Sequence, residues 1–367
     1  MVDPRLTKLA NVLLQYSCKV QKKQLVKIVG GIESIPLIKE LFTGALKIGA
    51  NPYTRIYTEE MEEIFYRNAN ADQLKYVSPL DEYELNKVDC FITIRSPENT
   101  KMLSGINPEK QATNFRARTK ISEIFSKRSS SGKLSWVGTQ YPTNASAQDA
   151  GMSLSDYTDF IFKACMVDKN DPIAEWKKVE KYNQKLINYL KRKKQIRIVA
   201  PDTDLTFKVG GRTWINCNGG NNFPDGEVFT APIENSASGH IRFTFPAVYR
   251  GQEVDDVRLE FKDGKVVKAA ADSGESFLNT MLDIDKGSRW LGEVAIGTNF
   301  GIQQFTRNIL YDEKIGGTFH LALGNSYPES GGKNKSVLHW DMVCDLRKGG
   351  AMYADGQLFF KNGKFLK

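Results

Sequence analysis

"QLVKIVGGIESIPLIKELFTGALKIGANPYTRIYT" (residues 24–58) decides the fold of the N-terminal half of the chain. Its first eight residues have the composition of a β-strand, "IPLIKELFTGALKIGA" has helical periodicity, and "YTRIYT" is again typical of a strand. The order repeats with strands in 85–97 and 133–142 and helical sequence over 108–128. Such alternation predicts a mostly parallel sheet covered by helices. Gly30-Gly31 after the first strand lacks the GxGxxG spacing of a dinucleotide site.

The C-terminal half has a different texture. A long helix predicted over 173–195 closes the first half, and from Ile196 short alternating strands are separated by Gly, Asn and Asp turns. Asp263-Gly264, Asp355-Gly356 and Asn362-Gly363 predict two-residue hairpins, and 276–289 predicts one helix. We therefore expect an α/β N-terminal domain with a mostly parallel sheet over residues 1–195. Residues 196–367 should form an α+β C-terminal domain rich in antiparallel strands.

Composition excludes several classes of protein. The chain of 367 residues is 41% apolar and 26% charged, as in globular proteins. It has no apolar run of the roughly 18–20 residues that a membrane span requires, and its first 20 residues predict an amphipathic helix instead of a signal peptide. Five cysteines without a CxxC pair argue against a disulfide framework and a thiolate zinc site. We expect a cytoplasmic protein with no membrane partner.

The net charge of +8 is concentrated in the N-terminal half, most densely in "FRARTKISEIFSKRSSSGK" (115–133). A basic stretch of this kind can bind nucleic acid. No nucleic-acid-binding motif accompanies it, so we interpret it as a solvated helix face and expect no nucleic-acid partner. Retention on DNA that depends on salt concentration would test this interpretation.

Histidine usage points to a site in the C-terminal half. Two of the three histidines, His320 and His339, lie within residues 318–343. In "FHLALG" His320 shares a strand face with two small residues, and in "LGEVAIG" Glu293 does the same. In "LHWDM" His339 shares a face with Asp341, and Glu227 follows a turn in "PDGEVFTAP". These small-residue faces leave room for a ligand beside the polar side chains.

A set of carboxylates and imidazoles without sulfur suits Zn²⁺, Co²⁺ or Mn²⁺, and the carboxylates can also hold Mg²⁺. Glu227, Glu293, His320, His339 and Asp341 exceed the three protein ligands of a mononuclear catalytic zinc site, so they favour two ions that share a bridging carboxylate. The alternative is that each histidine is an ordinary structural residue of a strand. The pattern alone leaves both interpretations open.

The same segments resemble the metalloaminopeptidase family typified by the thermophilic aminopeptidase T. The resemblance rests on "NGGNNFPDGEVFTAP", "GSRWLGEVAIGT", "LYDEKIGGTFHLALGNSYP", "VLHWDMV" and the N-terminal "YPTNASAQDAGMSLSDYTDF" (141–160), in one order along nearly the whole chain. It implies that Glu227, Glu293, His320, His339 and Asp341 bind two divalent ions per chain (zinc, cobalt, manganese or magnesium), with Glu293 bridging them and taking part in catalysis.

The resemblance further implies an aminopeptidase that cleaves peptides with a free N-terminus by means of a metal-bridging hydroxide. Tyr327 in "ALGNSYP" matches the catalytic tyrosine, and Glu313 in "YDEK" resembles a glutamate that assists the metals or the water. A homodimer is also implied, and residues 196–367 would be the metal-binding catalytic domain. The chain departs from the family pattern in a short interval between His320 and His339, in the spacing from Glu293 to His320 and in the offset of Glu313 from His320. We interpret the short loop "ESGGKNKS" (329–336) as a change in substrate access.

Two other functions remain open on the sequence. The same site on another amide substrate would give an amidase or a carboxypeptidase, although no arginine for a substrate carboxylate stands out beside the ligands. A non-catalytic metal-binding protein is the other alternative. Tyr327 argues against it, because a metal scaffold has no need for that side chain.

Overall fold

The computed structural model of the chain describes residues 3–249 and 251–367. They form two compact units. The first consists of the described part of Met1–Ile173 together with Gly219–Phe223, and the second of the described part of Ala174–Asn218 and Pro224–Lys367. The division falls in the first turn of the long helix, between Ile173 and Ala174, whereas the sequence predicted a boundary after this helix, at residue 195. Leu186 and Leu190 of this helix pack in the core of the second unit, which accounts for the difference.

Elements are numbered in chain order. The α-helices are α1 Pro4–Val12, α2 Ile35–Ile48, α3 Glu59–Asn68, α4 Ala71–Lys75, α5 Pro79–Lys87, α6 Pro108–Ala117, α7 Thr119–Ser130, α8 Asn144–Asp149, α9 Leu154–Ala164, α10 Pro172–Leu190, α11 Glu275–Leu282 and α12 Ile309–Asp312. The strands are β1 Leu25–Gly31, β2 Asn51–Tyr57, β3 Cys90–Arg95, β4 Ser135–Gln140, β5 Gln195–Ala200, β6 Thr203–Lys208, β7 Ile215–Cys217, β8 Asn222–Phe223, β9 Glu227–Thr230, β10 Ser238–Arg242, β11 Ala247–Tyr249, β12 Gln252–Val254, β13 Arg258–Lys262, β14 Lys265–Ala270, β15 Leu291–Gly297, β16 Thr318–Gly324, β17 His339–Asp345, β18 Ala351–Ala354, β19 Gln357–Lys361 and β20 Lys364–Phe365. None of the described helices is long and apolar enough to cross a membrane.

The first unit is built on a parallel sheet in the order β2-β1-β3-β4-β8. Val26 and Ile28 of β1 are buried at alternate positions, as the pleat of a strand requires. Helix α2 then buries Leu37 and Leu41 and ends at Gly49, whose φ of 84° is the left-handed conformation that terminates many helices. The predicted parallel sheet with covering helices is confirmed.

Two helix predictions differ from the structure. The segment 108–128 contains two helices, α6 and α7, because the backbone at Arg118 leaves the helical region with a ψ of 7°. The helix predicted over 276–289 ends at Leu282, since the Asp285 carboxylate accepts hydrogen bonds from the amides of Gly287 and Ser288 and folds this part into a turn.

The second unit contains two larger antiparallel sheets. One has the order β14-β13-β10-β6-β5-β18-β19-β20 and the other the order β17-β16-β15-β9-β7, and β11 and β12 pair as a separate two-stranded sheet. The core contains apolar side chains from both sheets, and the rings of Phe207 on β6 and Phe319 on β16 stack with centroids 6.1 Å apart. This arrangement confirms the predicted C-terminal region rich in antiparallel strands.

The hairpin predictions are also confirmed. Asp263, Asp355 and Asn362 have φ values of 49°, 49° and 48°, each followed by a glycine with positive φ. These turns join β13 to β14, β18 to β19 and β19 to β20. A positive φ at both central residues is the geometry of the type I′ turn, which is why Asp-Gly and Asn-Gly predict it.

Candidate metal centre

Four neighbouring strands of the five-stranded antiparallel sheet in the second unit, β17, β16, β15 and β9, carry most of the candidate ligands. Glu227 is the first residue of β9. Glu293 on β15, Ala322 on β16 and Asp341 on β17 form one row, because Glu293 pairs with Ala322 and Ala322 pairs with Asp341. His320 pairs with Ala295, and His339 with Gly324. Small residues thus lie between the polar ones, as the strand faces predicted.

The side chains of the candidate ligands form two overlapping groups. His320 Nε2 lies 3.3 Å from Glu227 Oε2 and 3.7 Å from Glu293 Oε1. His339 Nε2 lies 3.7 Å from Glu293 Oε2 and 3.5 Å from Asp341 Oδ2. Within each group the candidate ligand atoms lie within 4.8 Å of one another. Glu293 belongs to both groups, with one carboxylate oxygen toward each histidine.

Glu313 joins the site from outside the sheet. It directly follows α12, and it offers a carboxylate oxygen within 4.8 Å of ligand atoms of His320 and Asp341. The structure thus brings together all six residues that the sequence singled out as metal ligands, including the offset Glu313.

Unpartnered buried atoms test whether these residues fit a metal. Glu227 Oε2, both ring nitrogens of His320 and Asp341 Oδ1 are buried and have no hydrogen-bond partner among the residues that the structure describes. Buried polar atoms almost always have a partner, so such a set at one place indicates that a ligand completes it. His339 Nδ1 lies 2.9 Å from the carbonyl oxygen of Asn325. A carbonyl only accepts, so Nδ1 carries the hydrogen and Nε2 keeps its lone pair for a metal.

The electrostatics of the site also favour a bound cation. Burial raises the pKa of Glu293, the neighbouring His320 ring at 3.7 Å opposes this, and the charge of Glu227 adds to it. Burial likewise raises the pKa of Glu313 to about 7 against the opposing charge of Lys314. Burial lowers the pKa of His320, but Glu293, Glu227 and the other carboxylates outweigh it and raise the pKa to about 9. The excess of buried negative charge thus favours any cation in this place.

Tyr327 lies beside these groups, next to His339. It follows β16, and its ring packs against Phe229 at 5.6 Å and against the His339 ring at 5.0 Å between centroids. The residue as a whole is 41% exposed. Burial of the phenol, together with the charges of Glu293 and Asp341, raises its pKa well above the ordinary value. The hydroxyl therefore keeps its proton and is a hydrogen-bond donor at neutral pH.

Comparison with known proteins identifies the family of this chain. The model of the family described as thermophilic metalloprotease (M29) matches residues 2–365. The chain belongs to this family. Membership confirms the resemblance and the predicted enzyme class, a metal-dependent hydrolase of peptide bonds.

Similar proteins agree with this assignment. Aminopeptidase 2 from Geobacillus stearothermophilus is 27% identical over 384 residues, which cover 93% of this chain and 92% of the relative. Aminopeptidase T from Thermus thermophilus is 27% identical over 398 residues, covering 96% and 95%. The solved structure of wild-type AmpT from Thermus thermophilus superposes with a TM-score of 0.85 at 23% identity and covers 99% of each chain. The last comparison shows the shared fold.

Some residues that support the site are not evident from sequence patterns. Asn183 on α10 is fully buried; its amide donates to the carbonyl oxygens of Glu227 at 3.1 Å and Cys217 at 3.2 Å, and its oxygen accepts from Thr298 at 2.7 Å. It fixes the backbone that carries Glu227. Lys314 also lies within the site, with Nζ 2.6 Å from Glu227 Oε1. Its position next to Glu313 was the only available signal.

Asp285 holds the segment that leads into β17 and therefore helps to place His339. Its carboxylate accepts from the amide of Val337 at 2.7 Å and from the Ser336 hydroxyl at 2.9 Å, in addition to the amides of Gly287 and Ser288. Burial alone would raise the pKa of Asp285, but these donors outweigh it and hold the pKa below the ordinary value.

Replacing Asp285 by asparagine is expected to lower the free energy of unfolding by about 1.5–3 kcal/mol at neutral pH, because hydrogen bonds to an ionised acceptor are lost. A depressed pKa in the folded state gives stability that is present above the ordinary pKa of 3.8 and is lost as the pH falls through the folded value. Urea unfolding at neutral and acidic pH should therefore show the difference between Asp285→Asn and wild type shrinking in acid.

The matched control for this prediction is Asp283→Asn. Asp283 is exposed and pairs with Arg289, so its replacement should change stability by less than about 0.5 kcal/mol. An Asp285→Asn variant as stable as wild type at neutral pH would contradict the role given to this carboxylate.

Proposed function

We propose that this M29 metalloprotease is an aminopeptidase that removes N-terminal residues from peptides with the help of two divalent metal ions. The observation that carries the proposal is the position of Glu293. One of its oxygens faces His320 and the other faces His339, so one carboxylate belongs to two ligand groups. A carboxylate shared in this way is suited to bridge the two ions of a dinuclear hydrolase.

The ligands divide naturally between the two ions. Glu227, Glu293 and His320 would hold one ion, and Glu293, His339 and Asp341 the other, as the grouping of their ligand atoms supports. Glu313 would add a carboxylate beside His320 and Asp341. Oxygen and imidazole ligands suit zinc, cobalt or manganese, and the carboxylates also accept magnesium.

Bound there, two divalent ions would lower the pKa of a shared water so that hydroxide is available near neutral pH, and would polarise the scissile carbonyl. The residues of the chain supply the rest. Tyr327 keeps its proton, lies beside His339 and would donate a hydrogen bond to the oxyanion of the tetrahedral intermediate. The Asn325 carbonyl keeps the His339 ring oriented during turnover.

The free N-terminus of the substrate is the part of the proposal that rests on the relatives. The similar proteins from Geobacillus stearothermophilus and Thermus thermophilus are both named aminopeptidases. The site itself is compatible with this choice, because one of the bound cations would also hold the neutral α-amine of such a substrate.

Hydrolysis of leucyl-p-nitroanilide and its N-acetyl derivative by the metal-loaded enzyme tests this function. We expect turnover of the free amine and none of the blocked substrate. A carboxyl-terminal substrate, such as an N-blocked dipeptide, should also resist hydrolysis. Equal cleavage of free and blocked substrates would instead favour another amide hydrolase, and no turnover despite bound metal would favour a non-catalytic metal-binding protein.

Metal affinity should increase with pH. Because the pKa of His320 is raised to about 9, an incoming ion must displace a proton from this ring at neutral pH. The apparent affinity for Co²⁺ should therefore rise by up to about tenfold per pH unit between about pH 6.5 and pH 8.5 for each proton displaced. Competition titrations with a chelator of known pH dependence measure this slope, and a flat profile would contradict it.

We also propose, from the family resemblance, that the enzyme is a cytoplasmic homodimer. Sedimentation equilibrium tests the dimer directly, and a species of one chain at micromolar concentration would contradict it.

A further inference from the structure

Lys314 is a buried cation inside the candidate metal centre. Its side chain is 1% exposed, and Nζ lies 2.6 Å from Glu227 Oε1, 2.5 Å from Glu313 Oε1 and 3.8 Å from Asp225 Oδ1. Lysine is almost never buried this completely unless its charge is compensated. Three carboxylates provide that compensation here.

The backbone around Lys314 keeps the ammonium in place. The Lys314 amide donates to the Tyr311 carbonyl oxygen at 3.0 Å, and the Lys314 carbonyl oxygen accepts from the Asn299 amide at 3.0 Å. Asn299 is itself buried, and its side chain donates to the Asp225 carbonyl oxygen at 2.9 Å. The lysine and the segment that carries Asp225 are therefore tied to the same residue.

The ammonium lies at a third group of potential metal ligands. Cys217, Asp225 and Glu227 offer a sulfur and two oxygens within 4.8 Å of one another, a spacing that could hold a metal ion. Lys314 Nζ contacts Glu227 and lies near Asp225 in this group. A cation supplied by the chain thus lies where a metal could otherwise bind.

The two carboxylate oxygens of Glu227 have different neighbours because only one of them contacts Lys314. Oε1 accepts the hydrogen bond from Lys314, whereas Oε2 is buried, has no hydrogen-bond partner in the described part of the chain and faces His320 at 3.3 Å. The lysine therefore leaves one oxygen of this carboxylate for the ion beside His320. Glu313 likewise uses Oε1 for Lys314.

Charge balance supports the same view. The centre contains five carboxylates, those of Asp225, Glu227, Glu293, Glu313 and Asp341. Two divalent ions and one ammonium match their charge when both histidines and the shared water are neutral. A buried site is most stable when its charges are compensated in this way.

We propose that Lys314 acts as a third, protein-supplied cation that excludes a metal from the Cys217–Asp225–Glu227 group and so limits the centre to two ions. The inference rests on the proposed two-ion function. Lys314 is a positioning residue in this account, because it acts on the ions through Glu227 and Glu313.

Cobalt titration of wild type and Lys314→Ala tests the inference. Wild type should bind two Co²⁺ ions without a thiolate-to-cobalt absorption band in the near ultraviolet. Lys314→Ala should bind one more ion per chain and develop this band as the Cys217 thiol loses its proton to solvent and binds the metal. Lys314→Ala combined with Cys217→Ser should lose the band, and Lys314→Arg, which keeps the positive charge, should behave as wild type.

Two outcomes would overturn the inference. One is a folded Lys314→Ala variant that binds no additional ion and shows no thiolate band. The other is the loss of one bound ion when Cys217→Ser alone is introduced into the wild-type protein. This loss would mean that the third group holds a metal even though Lys314 is present. A wild-type protein that binds fewer than two ions would contradict the proposed function. The inference on Lys314 would still be decided by whether Lys314→Ala binds one ion more than wild type.

Discussion

Replacing Glu293 by glutamine is expected to abolish turnover and to weaken binding of both metal ions. Loss of a residue that only supports a metal ligand already costs about 10–100-fold in metal affinity, so loss of the carboxylate shared by two ligand groups should cost more than about 100-fold. An amide offers one oxygen acceptor, and its NH₂ group cannot replace the oxygen that now faces the second histidine.

The variant should nevertheless fold. Burial raises the pKa of Glu293, so its charged form is unfavourable in the protein without a bound cation, and a neutral amide of the same shape removes that cost. The metal-depleted variant should therefore be at least as resistant to thermal unfolding as metal-depleted wild type. Glu329→Gln, in the loop after Tyr327, is the matched control and should keep both metal and activity. A Glu293→Gln enzyme that binds two ions and retains turnover within a few-fold would exclude the bridging role.

Replacing Tyr327 by phenylalanine is expected to lower kcat by about 10²–10³-fold with little change in metal content or KM, since one donor to a developing oxyanion is worth about that much. The phenylalanine ring keeps the packing against Phe229 and His339, so the site should stay assembled. Steady-state kinetics and metal analysis on the same preparation check both halves of the prediction.

The control for the tyrosine is Tyr76→Phe, which removes a hydroxyl from an exposed residue in the first unit. It should leave kcat unchanged. If Tyr327→Phe lost metal as well as activity, the tyrosine would be part of the metal site and not an oxyanion donor. Unchanged kcat would leave Tyr327 as a packing residue.

Much of the site could be predicted because strand geometry is local. Period-two alternation fixes which side chains share a face, so Glu293, His320 and Asp341 could be assigned to small-residue faces before any pairing was known. The pairing of Glu293 and Asp341 with the same Ala322 then brings these faces into register. The Asp-Gly and Asn-Gly turns were equally local, because backbone conformation alone selects their residues.

The features that were missed depend on contacts between distant segments. Lysine is a hydrophilic residue that is normally exposed. Burial of Lys314 becomes favourable only through its contact with Glu227, which lies 87 positions away in the sequence. Asn183 supports Glu227 from a helix that sequence analysis placed in the other half of the chain. The end of α11 at Leu282 likewise depends on Asp285, whose carboxylate competes with the helix for backbone amides. Periodicity carries no information on such partners.

The most direct test of the two-ion centre is a metal titration of the protein stripped with EDTA, in which bound ions and leucyl-p-nitroanilide hydrolysis are measured on the same samples. We expect activity to rise to a plateau at two bound ions per chain, and Zn²⁺, Co²⁺, Mn²⁺ and Mg²⁺ to differ in the rate at the plateau but not in this number. Full activity at one bound ion per chain would contradict the shared role of Glu293 and leave a mononuclear peptidase.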